Sequence, residues 1–422
     1  MKKISVALGI AVISAAFTFD NPAPKTIKFD ADNGGIKLAS GFKALVVAEE
    51  TGKARHIFVL PNGTIYIKNS SGKDNKGITV LKDTDGDGKA DSKESFGNYG
   101  GTGMEVYNGY LYASSNTDVY RYKLNEKGDV IDRNAPETVV TGLPDFHQHE
   151  SKPMTFDEQG KMYVTIGAPS NICQEKDRQK GSPGQMPCPL LEKNGGIWQF
   201  DANKLNQKQE DGIRFATGIR NAVAINYDPT TKNVYALQHG RDMLFQFFPE
   251  MYSAEQGAEL PSEEFLLVKK GSDFGWPYCY YDKDKGKNML CPEYGGDGKK
   301  EYTKADKPIM GFPGHWAPND LLFYHGSQFP AKYKNGAFIC FHGSWNRAPK
   351  MQAGYFVAFV PFKNGLPSGP YEVFAEDFAG GPEIKNPGDA KARPMGLAEG
   401  GDGSLYIVDS VKGKLWRVMA GK

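Results

Sequence analysis

One pattern of hydrophobic and polar positions recurs along this chain. Each copy has an apolar strand, a polar turn that contains glycine, and a second strand with a central aromatic residue, as in HIFVLPNGTIYIKN. Alternation of apolar and polar residues between glycine turns is typical of short β-strands. The copies lie at 56–69, 103–115, 153–167, 221–240, 321–343 and 394–410.

A third alternating strand is predicted after these units. The segments that predict it are DVYRYKL, GGIWQFD, MLFQFF, GYFVAFVPF and KLWRVMA. The order strand, turn, strand, strand is one blade of a β-propeller. The sequence therefore predicts an all-β fold, a six-bladed β-propeller with long inter-strand insertions, over residues 41–422.

The ends of the repeat and its spacing refine this prediction. The segment GFKALVVAEE at 41–50 precedes the first unit, and we expect it to supply the outer strand of the last blade. Long insertions are expected chiefly at 168–215 and 246–320, because long loops on a rigid scaffold usually shape a site. Two separate β-sandwich domains are the alternative, but no linker rich in Pro, Ser or Gly divides the chain.

The N-terminus has the layout of an export signal. Lys2 and Lys3 precede an apolar run that extends from Ile4 to Ala16. This layout predicts a signal peptide over residues 1–16, followed by an N-terminal extension over 17–40. The run is too short to span a bilayer as a permanent helix. We expect a periplasmic or secreted protein with no membrane span after cleavage.

Charge narrows the class of partner. The 51 Lys and Arg residues nearly balance the 50 Asp and Glu residues, which leaves a net charge of +1. A balanced chain has no electrostatic attraction to nucleic acid or to anionic lipid. The expected partner is a small molecule that is uncharged or weakly charged.

The chain has 5 cysteines, four of which form two close pairs. In an exported protein such pairs predict disulfides, here Cys173 with Cys188 and Cys279 with Cys291. A metal or haem site is the alternative, but the chain lacks C-x-x-C-H and has no histidine at zinc-site spacing. Cys340 lies in an apolar run, where a buried inert thiol is expected.

The segment DTDGDGKADSKE fits the loop of a calcium-binding EF-hand at every defined position. Calcium would be surrounded by oxygen atoms of Asp83, Asp85, Asp87, the Lys89 carbonyl, Asp91 and Glu94. No amphipathic helices flank the segment, so this would be a structural clip. The alternative is an acidic hairpin turn that joins the first two blades, since Asp and Gly are also common turn residues.

Candidate ligand-binding residues, most of them with a basic or amide side chain, recur where the predicted inner strands begin or the second strands end. They are His149, Arg220, Asn221, Gly240, Arg241, His342, Trp345, Arg347, Lys391 and Arg393. These positions are expected to converge on one mouth of the ring, and such a group suits a flat anionic ligand with several carboxylates. Taken singly, each Arg is as well explained by a surface ion pair, and Trp345 by the core.

Several motifs of the chain resemble those of a known family. The motifs GIRNAVA, HGRDML, FGWPYC, FPGHWAP, FHGSWNR and RPMGLAEGGDGSLYIVDS are similar to those of the glucose/sorbosone dehydrogenases. They are most similar to the L-sorbosone and pyranose dehydrogenase branch. The resemblance implies a six-bladed propeller that oxidises a sugar or sugar aldehyde with bound pyrroloquinoline quinone and Ca²⁺, and that passes electrons to a separate cytochrome or quinone.

The resemblance also implies roles for individual residues. His149 corresponds to the general base that removes the sugar hydroxyl proton, and Arg220 to the group that stabilises charge on the quinone. The carbonyls of Gly240 and Arg241 correspond to ligands of the cofactor's calcium. The remaining residues of the mouth, Asn221, Arg241, His342, Trp345, Arg347, Lys391 and Arg393, are expected to bind the cofactor.

Two positions depart from the glucose dehydrogenase pattern. Ala168 stands where those enzymes have an acidic residue that orients the base. We therefore expect either that Ser170, Asn171 or Glu150 orients the base or that the base is less active, and we expect the substrate to differ from glucose. The Gly240–Arg241 pair replaces Gly-Pro, which again favours the sorbosone-like branch. The alternative functions are a calcium-dependent, lactonase-like propeller hydrolase and a non-catalytic carbohydrate-binding propeller.

Overall fold

Antiparallel sheets of four consecutive or nearly consecutive strands account for the sequence repeat. The computed structural model describes residues 26–381 and 383–421, and its sheets form a six-bladed β-propeller. The predicted signal peptide at 1–16 lies outside the described residues, as does part of the predicted N-terminal extension. The predicted fold class is confirmed.

Two short strands, β1 (Lys37–Leu38) and β2 (Phe42–Ala48), precede the first blade. Blade 1 contains β3 (Ala54–Val59), β4 (Ile65–Asn69), β5 (Ile78–Lys82) and β6 (Ser92–Phe96). Blade 2 contains β7 (Met104–Tyr107), β8 (Tyr110–Ser114), β9 (Val119–Lys123) and β10 (Glu137–Val140). Blade 3 contains β11 (Met154–Phe156), β12 (Lys161–Ile166), β13 (Gly196–Asp201) and β14 (Ile213–Thr217).

The second half of the ring has more short strands inserted between the strands of its blades. Blade 4 contains β15 (Ala222–Asp228), β16 (Asn233–Gln238), β17 (Glu263–Val268) and the outer strand β21 (Met310–Phe312). Between β17 and β21 the chain forms three further strands outside this sheet, β18 (Ser272–Asp273), β19 (Cys279–Asp282) and β20 (Lys287–Leu290). Blade 5 contains β22 (Pro318–Phe323), β23 (Ala337–Phe341), β24 (Phe356–Val360) and β27 (Glu372–Glu376). The short strands β25 (Phe362–Lys363) and β26 (Leu366–Pro367) lie between β24 and β27 in the chain and form a separate hairpin. Blade 6 contains β28 (Pro394–Glu399), β29 (Leu405–Asp409) and β30 (Leu415–Ala420).

Helical structure is sparse in the described part of the chain. The α-helices there are α1 (Leu244–Phe247) and α2 (Ala254–Glu259). Short 3₁₀ turns lie at Lys73–Asn75, Pro189–Glu192, Gln209–Asp211, Pro292–Tyr294, Ala331–Tyr333 and Pro387–Asp389. Within residues 26–381 and 383–421, no helix has the length and apolar character that crossing a membrane requires.

The ring is closed by pairing of strands from the two ends of the chain. Strand β2 pairs with β30 antiparallel, from Phe42 opposite Ala420 to Ala48 opposite Leu415. This confirms the prediction that 41–50 supplies the outer strand of the last blade. Strand β1 pairs with β27 and so extends blade 5, while the indole N–H of Trp416 donates to the Gly34 carbonyl at 3.1 Å. The N-terminal segment thus holds two neighbouring blades.

One segment predicted as a strand is helical. MLFQFF at 243–248 was expected to be the third strand of blade 4, but Leu244–Phe247 forms α1 and that strand is instead β17. Leu244 and Phe247 are the buried residues of α1, and their spacing of three places both on one face of a helical turn. A short apolar run contains too few residues to separate this spacing from strand alternation.

The cysteine predictions are confirmed for one pair and wrong for the other. Cys173 and Cys188 form a disulfide, whereas Cys279 and Cys291 are free and buried. In the hairpin of β19 and β20, Cys279 lies opposite Leu290, and the Cys291 N–H bonds the Tyr278 carbonyl. Because neighbouring positions of a strand face opposite sides, this register directs the two thiols apart. Cys340 is a buried free thiol in β23, as expected.

A mutation in the closing strand tests the ring closure. Leu45 of β2 is fully buried, so we expect Leu45→Ala to lower the free energy of unfolding by about 2–5 kcal/mol. Lys43 is an exposed residue of the same strand, and Lys43→Ala should change that free energy by less than about 0.5 kcal/mol. Denaturant titration measures both. Equal effects would mean that β2 does not contribute to the core.

Candidate active site

The predicted site residues are positioned by the shared direction of the inner strands. In an antiparallel blade, the beginning of the first strand and the end of the second lie at the same edge. His149, Arg220, Asn221 and Arg393 precede the inner strands β11, β15 and β28, whereas His239 and the residues after it follow β16. His342 follows β23 in the same way. These side chains therefore face one mouth of the central channel.

His149 is oriented by a main-chain oxygen. Its Nδ1 lies 2.6 Å from the carbonyl of Ala168, two residues after the end of β12. A carbonyl only accepts hydrogen bonds, so Nδ1 carries the proton and the lone pair of the neutral ring is on Nε2. His149 itself adopts a left-handed backbone conformation with φ of 54°. The ring is thus held in the tautomer that a general base requires.

Ser170 and Asn171, two of the three groups expected to orient His149, have other partners. The Ser170 hydroxyl donates to Asp177 at 2.6 Å, and Asn171 bonds Arg220 and Asp242. Ala168 lacks the expected acidic side chain, but its backbone supplies the acceptor. Its own N–H donates to the Arg220 carbonyl at 2.8 Å, which links the base to the next inner strand.

Burial and positive charge lower the pKa of His149 well below 6.5. Burial is the larger cause, and the nearby Arg220 guanidinium adds to it, whereas the hydrogen bond to Ala168 acts in the opposite direction. The imidazole is therefore neutral at pH 7 and able to accept a proton. A carboxylate orienting the ring would have raised the pKa, so the neutral carbonyl keeps the base unprotonated over a wider pH range.

Arg220 lies beside the base and is almost fully buried. Its Nε donates to the Asn171 carbonyl at 3.2 Å, and its Nη2 donates to Asn171 Oδ1 at 3.1 Å and to Asp242 Oδ2 at 2.9 Å. Its Nη1 donates to the Gly240 carbonyl at 3.0 Å. A guanidinium has five N–H groups. One Nη1–H therefore has no acceptor among the described residues and is left to a ligand.

Asn221 and His239 form the next part of the mouth. Nε2 of His239 lies 3.1 Å from the Pro318 carbonyl, so this nitrogen carries the proton. Nδ1 then accepts from the Asn221 amide, 3.4 Å away. Burial, with the charge of Arg220, lowers the pKa of His239 to about 4, although the bond to Pro318 opposes this shift. The mouth thus contains a second neutral imidazole.

Arg393 retains an open guanidinium. Its Nε donates to the His342 carbonyl at 3.0 Å and its Nη2 to the Gly343 carbonyl at 2.6 Å, and its guanidinium lies 5.5 Å from the Tyr355 ring. Within the described part of the chain, no carboxylate forms an ion pair with it. His342 is fixed by Ser410, with Nε2 and the hydroxyl 2.8 Å apart.

Three other predicted cofactor ligands, Arg241, Arg347 and Lys391, lie in other surroundings: two form ion pairs within the protein, and Lys391 lies in a separate cavity. Nη1 of Arg241 donates to both carboxylate oxygens of Glu293 at 2.7 Å, and both side chains are 1% exposed. Arg347 pairs with Glu259 at 2.7 Å. Trp345 is 60% exposed. Lys391 lies against Gly380 in a separate cavity of about 550 Å³ with Glu49, Glu50 and Lys412, on the same face of the ring.

The predicted calcium loop connects β5 and β6, so it lies within blade 1 rather than between two blades. Carboxylate oxygens of Asp83, Asp85 and Asp91 lie within 4.8 Å of one another. Asp83 accepts from the Gly86 and Gly88 amides at 2.7 and 2.8 Å, which are bonds that an Asp side chain also forms in turns without a cation. Glu94 lies in β6 and instead pairs with Arg133 at 2.6 Å.

A second cluster lies on the loop that carries His149. Single ligand atoms of Asp145, His147 and Glu150 are all within 4.8 Å of one another. His147 is largely exposed, with 91% of its side chain accessible. This cluster was not predicted, although its D-x-H-x-x-E spacing is visible in the chain.

Asp242 is the residue that sequence reasoning missed most clearly. It lies at the buried end of the mouth, where its carboxylate bonds Arg220. Burial alone would raise its pKa, but Arg220, His315 and Arg178 together hold the pKa well below the usual value. The only sequence signal was its position in HGRDML, one residue after a predicted ligand.

The fold and the mouth define a class of protein: a six-bladed propeller with a buried neutral histidine, a buried arginine and an open arginine at one end of its channel. The sequence model of the family described as TrAA12-like matches residues 36–420. The chain therefore belongs to the TrAA12-like family.

Relatives and solved structures agree with this assignment. The chain is 21% identical over 421 residues to a pyrroloquinoline quinone-dependent sugar dehydrogenase of Hypocrea jecorina, covering 93% of this chain and 84% of the relative. It is 25% identical over 413 residues to an uncharacterised protein of Borreliella burgdorferi, covering 93% of each.

Two solved structures show the same fold. The calcium structure of a Trichoderma reesei family AA12 carbohydrate-active enzyme has a TM-score of 0.75 and 18% identity, covering 94% of this chain and 99% of its own. The holo form of the pyranose dehydrogenase PQQ domain from Coprinopsis cinerea has a TM-score of 0.70 and 20% identity, with the same coverage.

The opposite environments of two histidines give a direct test of the site. We expect NMR titration to place the pKa of His149 below 6.5, because the ring is buried beside Arg220. The pKa of His325 should lie above 6.5, because Asp228 accepts a hydrogen bond from its ring, 3.3 Å away. A His149 that protonates at a higher pH than His325 would contradict the described site.

Proposed function

We propose that this chain is an exported quinoprotein dehydrogenase that oxidises a sugar or sugar aldehyde of the sorbosone or pyranose type, with His149 as general base. The observation that carries the proposal is the bond between His149 Nδ1 and the Ala168 carbonyl at 2.6 Å, which leaves a neutral Nε2 as proton acceptor. Export is supported by the predicted signal peptide, and the Cys173–Cys188 disulfide is consistent with it.

The donors at the mouth fit a flat cofactor with several carboxylates. Arg393 has no carboxylate partner among the described residues, and Arg220 has one N–H left over. Pyrroloquinoline quinone is planar and anionic, so these groups are of the kind that would hold it. Asn221 and His342 lie at the same mouth and complete the proposed set.

The residues of the chain divide the chemistry between them. When bound, the quinone supplies the acceptor for the hydride that leaves the sugar carbon. His149 Nε2 accepts the proton of the hydroxyl on that carbon, so hydride and proton leave together as the carbonyl forms. Arg220 places a positive charge where negative charge develops, in a buried setting where that interaction is strong.

Calcium is proposed at two places. The carbonyls of Gly240 and Arg241 would hold the ion that accompanies the cofactor, and the second calcium would lie in the 83–94 loop. The loop proposal is supported by the grouped oxygens of Asp83, Asp85 and Asp91. To serve as a bidentate ligand, Glu94 would have to leave Arg133. The electron acceptor is proposed to be a separate cytochrome or quinone.

Replacement of the base tests the dehydrogenase. With protein reconstituted with the quinone and Ca²⁺, we expect His149→Asn to lower kcat by about 10²–10⁴-fold, because a positioned base contributes that much. Binding of the quinone, followed by its absorbance, should persist. A dye-linked assay across aldoses, osones and sugar aldehydes measures the rates.

The same substitution on the other face of the ring is the matched control. His325 follows β22 at the opposite end of the channel, so His325→Asn should change kcat by less than about twofold. Unchanged turnover in His149→Asn would favour another base, with His342 next, or a binding module. Lactone hydrolysis without quinone, lost on chelation, would support the hydrolase instead.

Calcium binding by the loop has its own test. We expect Ca²⁺ at about 100 times the Kd of the loop to contribute about 2.7 kcal/mol of stability through that loop, and Asp83→Asn to remove this contribution. Glu372→Gln, at an exposed ion pair with Lys332, is the control and should leave it intact. Thermal unfolding with Ca²⁺ and Mg²⁺ measures the effect. Equal stabilisation of the wild type and of Asp83→Asn would reject a site in this loop.

A further inference from the structure

A single buried carboxylate joins several loops at the mouth. Asp242 Oδ2 accepts from Arg220 Nη2 at 2.9 Å and from both terminal nitrogens of Arg178 at 3.1 and 3.2 Å. Its Oδ1 accepts from the Asn346 amide at 2.9 Å and lies 3.8 Å from His315 Nδ1. These partners come from the insertion of blade 3, from blade 4, and from loops on both sides of β22 and β23.

We infer that Asp242 is a positioning residue that fixes the direction of the Arg220 guanidinium in the mouth, together with Asn171. The inference rests on the proposed function, since it concerns how Arg220 meets the cofactor and the developing charge. Both carboxylate oxygens of Asp242 are engaged by side chains of the protein, so we expect it to act through Arg220.

The geometry determines the plane of the guanidinium. Asn171 accepts from Arg220 through its carbonyl and its side-chain oxygen, while its own amide donates to the Asp242 carbonyl at 3.0 Å. The Asp242 N–H donates back to Asn171 Oδ1 at 2.8 Å. Asn171 and Asp242, which are hydrogen-bonded to each other, therefore present three acceptors to the Arg220 guanidinium. With Gly240 as the fourth, only one N–H direction remains open.

Burial explains why one of these acceptors must be charged. Arg220 is 3% exposed, and an unpaired guanidinium at that depth is strongly unfavourable. The same carboxylate binds Arg178, whose side chain is 31% exposed at the rim. Arg178 lies between Cys173 and Cys188, so Asp242 also ties the disulfide-closed insertion to the channel wall.

Two substitutions separate the charge of Asp242 from its shape. Asp242→Asn keeps an acceptor for Arg220, and Asn346 can rotate its unpartnered oxygen toward the new amide. Asp242→Ala removes both acceptors. With the quinone-loaded protein we expect Asp242→Ala to lower kcat by about 10²-fold or more, Asp242→Asn to lower it less, and KM for the sugar to change by less than about threefold.

A double-mutant cycle with Arg220→Lys tests whether Asp242 acts through Arg220. If it does, Asp242→Ala should lower kcat by less than about threefold once Arg220 is already replaced. Additive losses would overturn the inference, because a merely structural Asp242 would cost the same in both backgrounds. Arg178→Ala is the matched control: it removes the other guanidinium on Oδ2, and its effect should remain additive with Arg220→Lys.

Hydrogen exchange of the Arg220 Nε–H, read by ¹⁵N NMR, tests the inference without activity. We expect slow exchange in the wild type and in Arg178→Ala, intermediate exchange in Asp242→Asn, and fast exchange in Asp242→Ala; Arg220→Lys identifies the signal. Wild-type protein without quinone-dependent turnover would reject the proposed function, while the exchange rates would still test Asp242. Equal exchange in the wild type, Asp242→Asn and Asp242→Ala would overturn the inference.

Discussion

The antiparallel pairing of β2 with β30 is the constraint on which the rest of the structure depends. Each blade packs against its neighbours, so a ring with an open seam would leave the facing sides of blades 1 and 6 less supported. The backbone bonds from Phe42 to Ala48 close that seam without any covalent link. The residues of the mouth come from blades 3 to 6, and their separations are therefore set by the closed ring rather than by any one sheet.

Within that ring, the site is built largely from main-chain atoms. His149 is oriented by the Ala168 carbonyl, and Arg220 is held by the carbonyls of Asn171 and Gly240 as well as by side chains. Arg393 likewise donates to two carbonyls. Backbone acceptors at strand ends cannot rotate, which suits a site that must hold charged groups in fixed directions. The side chains then add charge where the backbone cannot.

The blades and the general place of the site were predictable because both are local properties. Strand alternation is read within a few residues, and the ends of inner strands share a mouth in any propeller. The orientation of His149 was not predictable, because every residue has a carbonyl and the sequence does not show which one will face the ring. Asp242 was missed because its partners are distant in the chain, from Arg178 to Asn346. Cys279 and Cys291 were wrongly paired because a shift of one residue in the register of β19 and β20 decides whether their thiols face each other. Helix α1 was missed because its apolar run is too short to show a helical period.

The way His149 is held also bears on how this site can change over evolutionary time. No substitution of the Ala168 side chain deletes the acceptor, since the oxygen belongs to the peptide group. The neighbouring position is different, because a Cβ at Gly167 would meet the His149 carbonyl at 2.4 Å and push the loop away. Other small side chains can therefore replace Ala168 while the orientation of His149 is preserved. A substitution of Gly167, in contrast, would disturb that orientation.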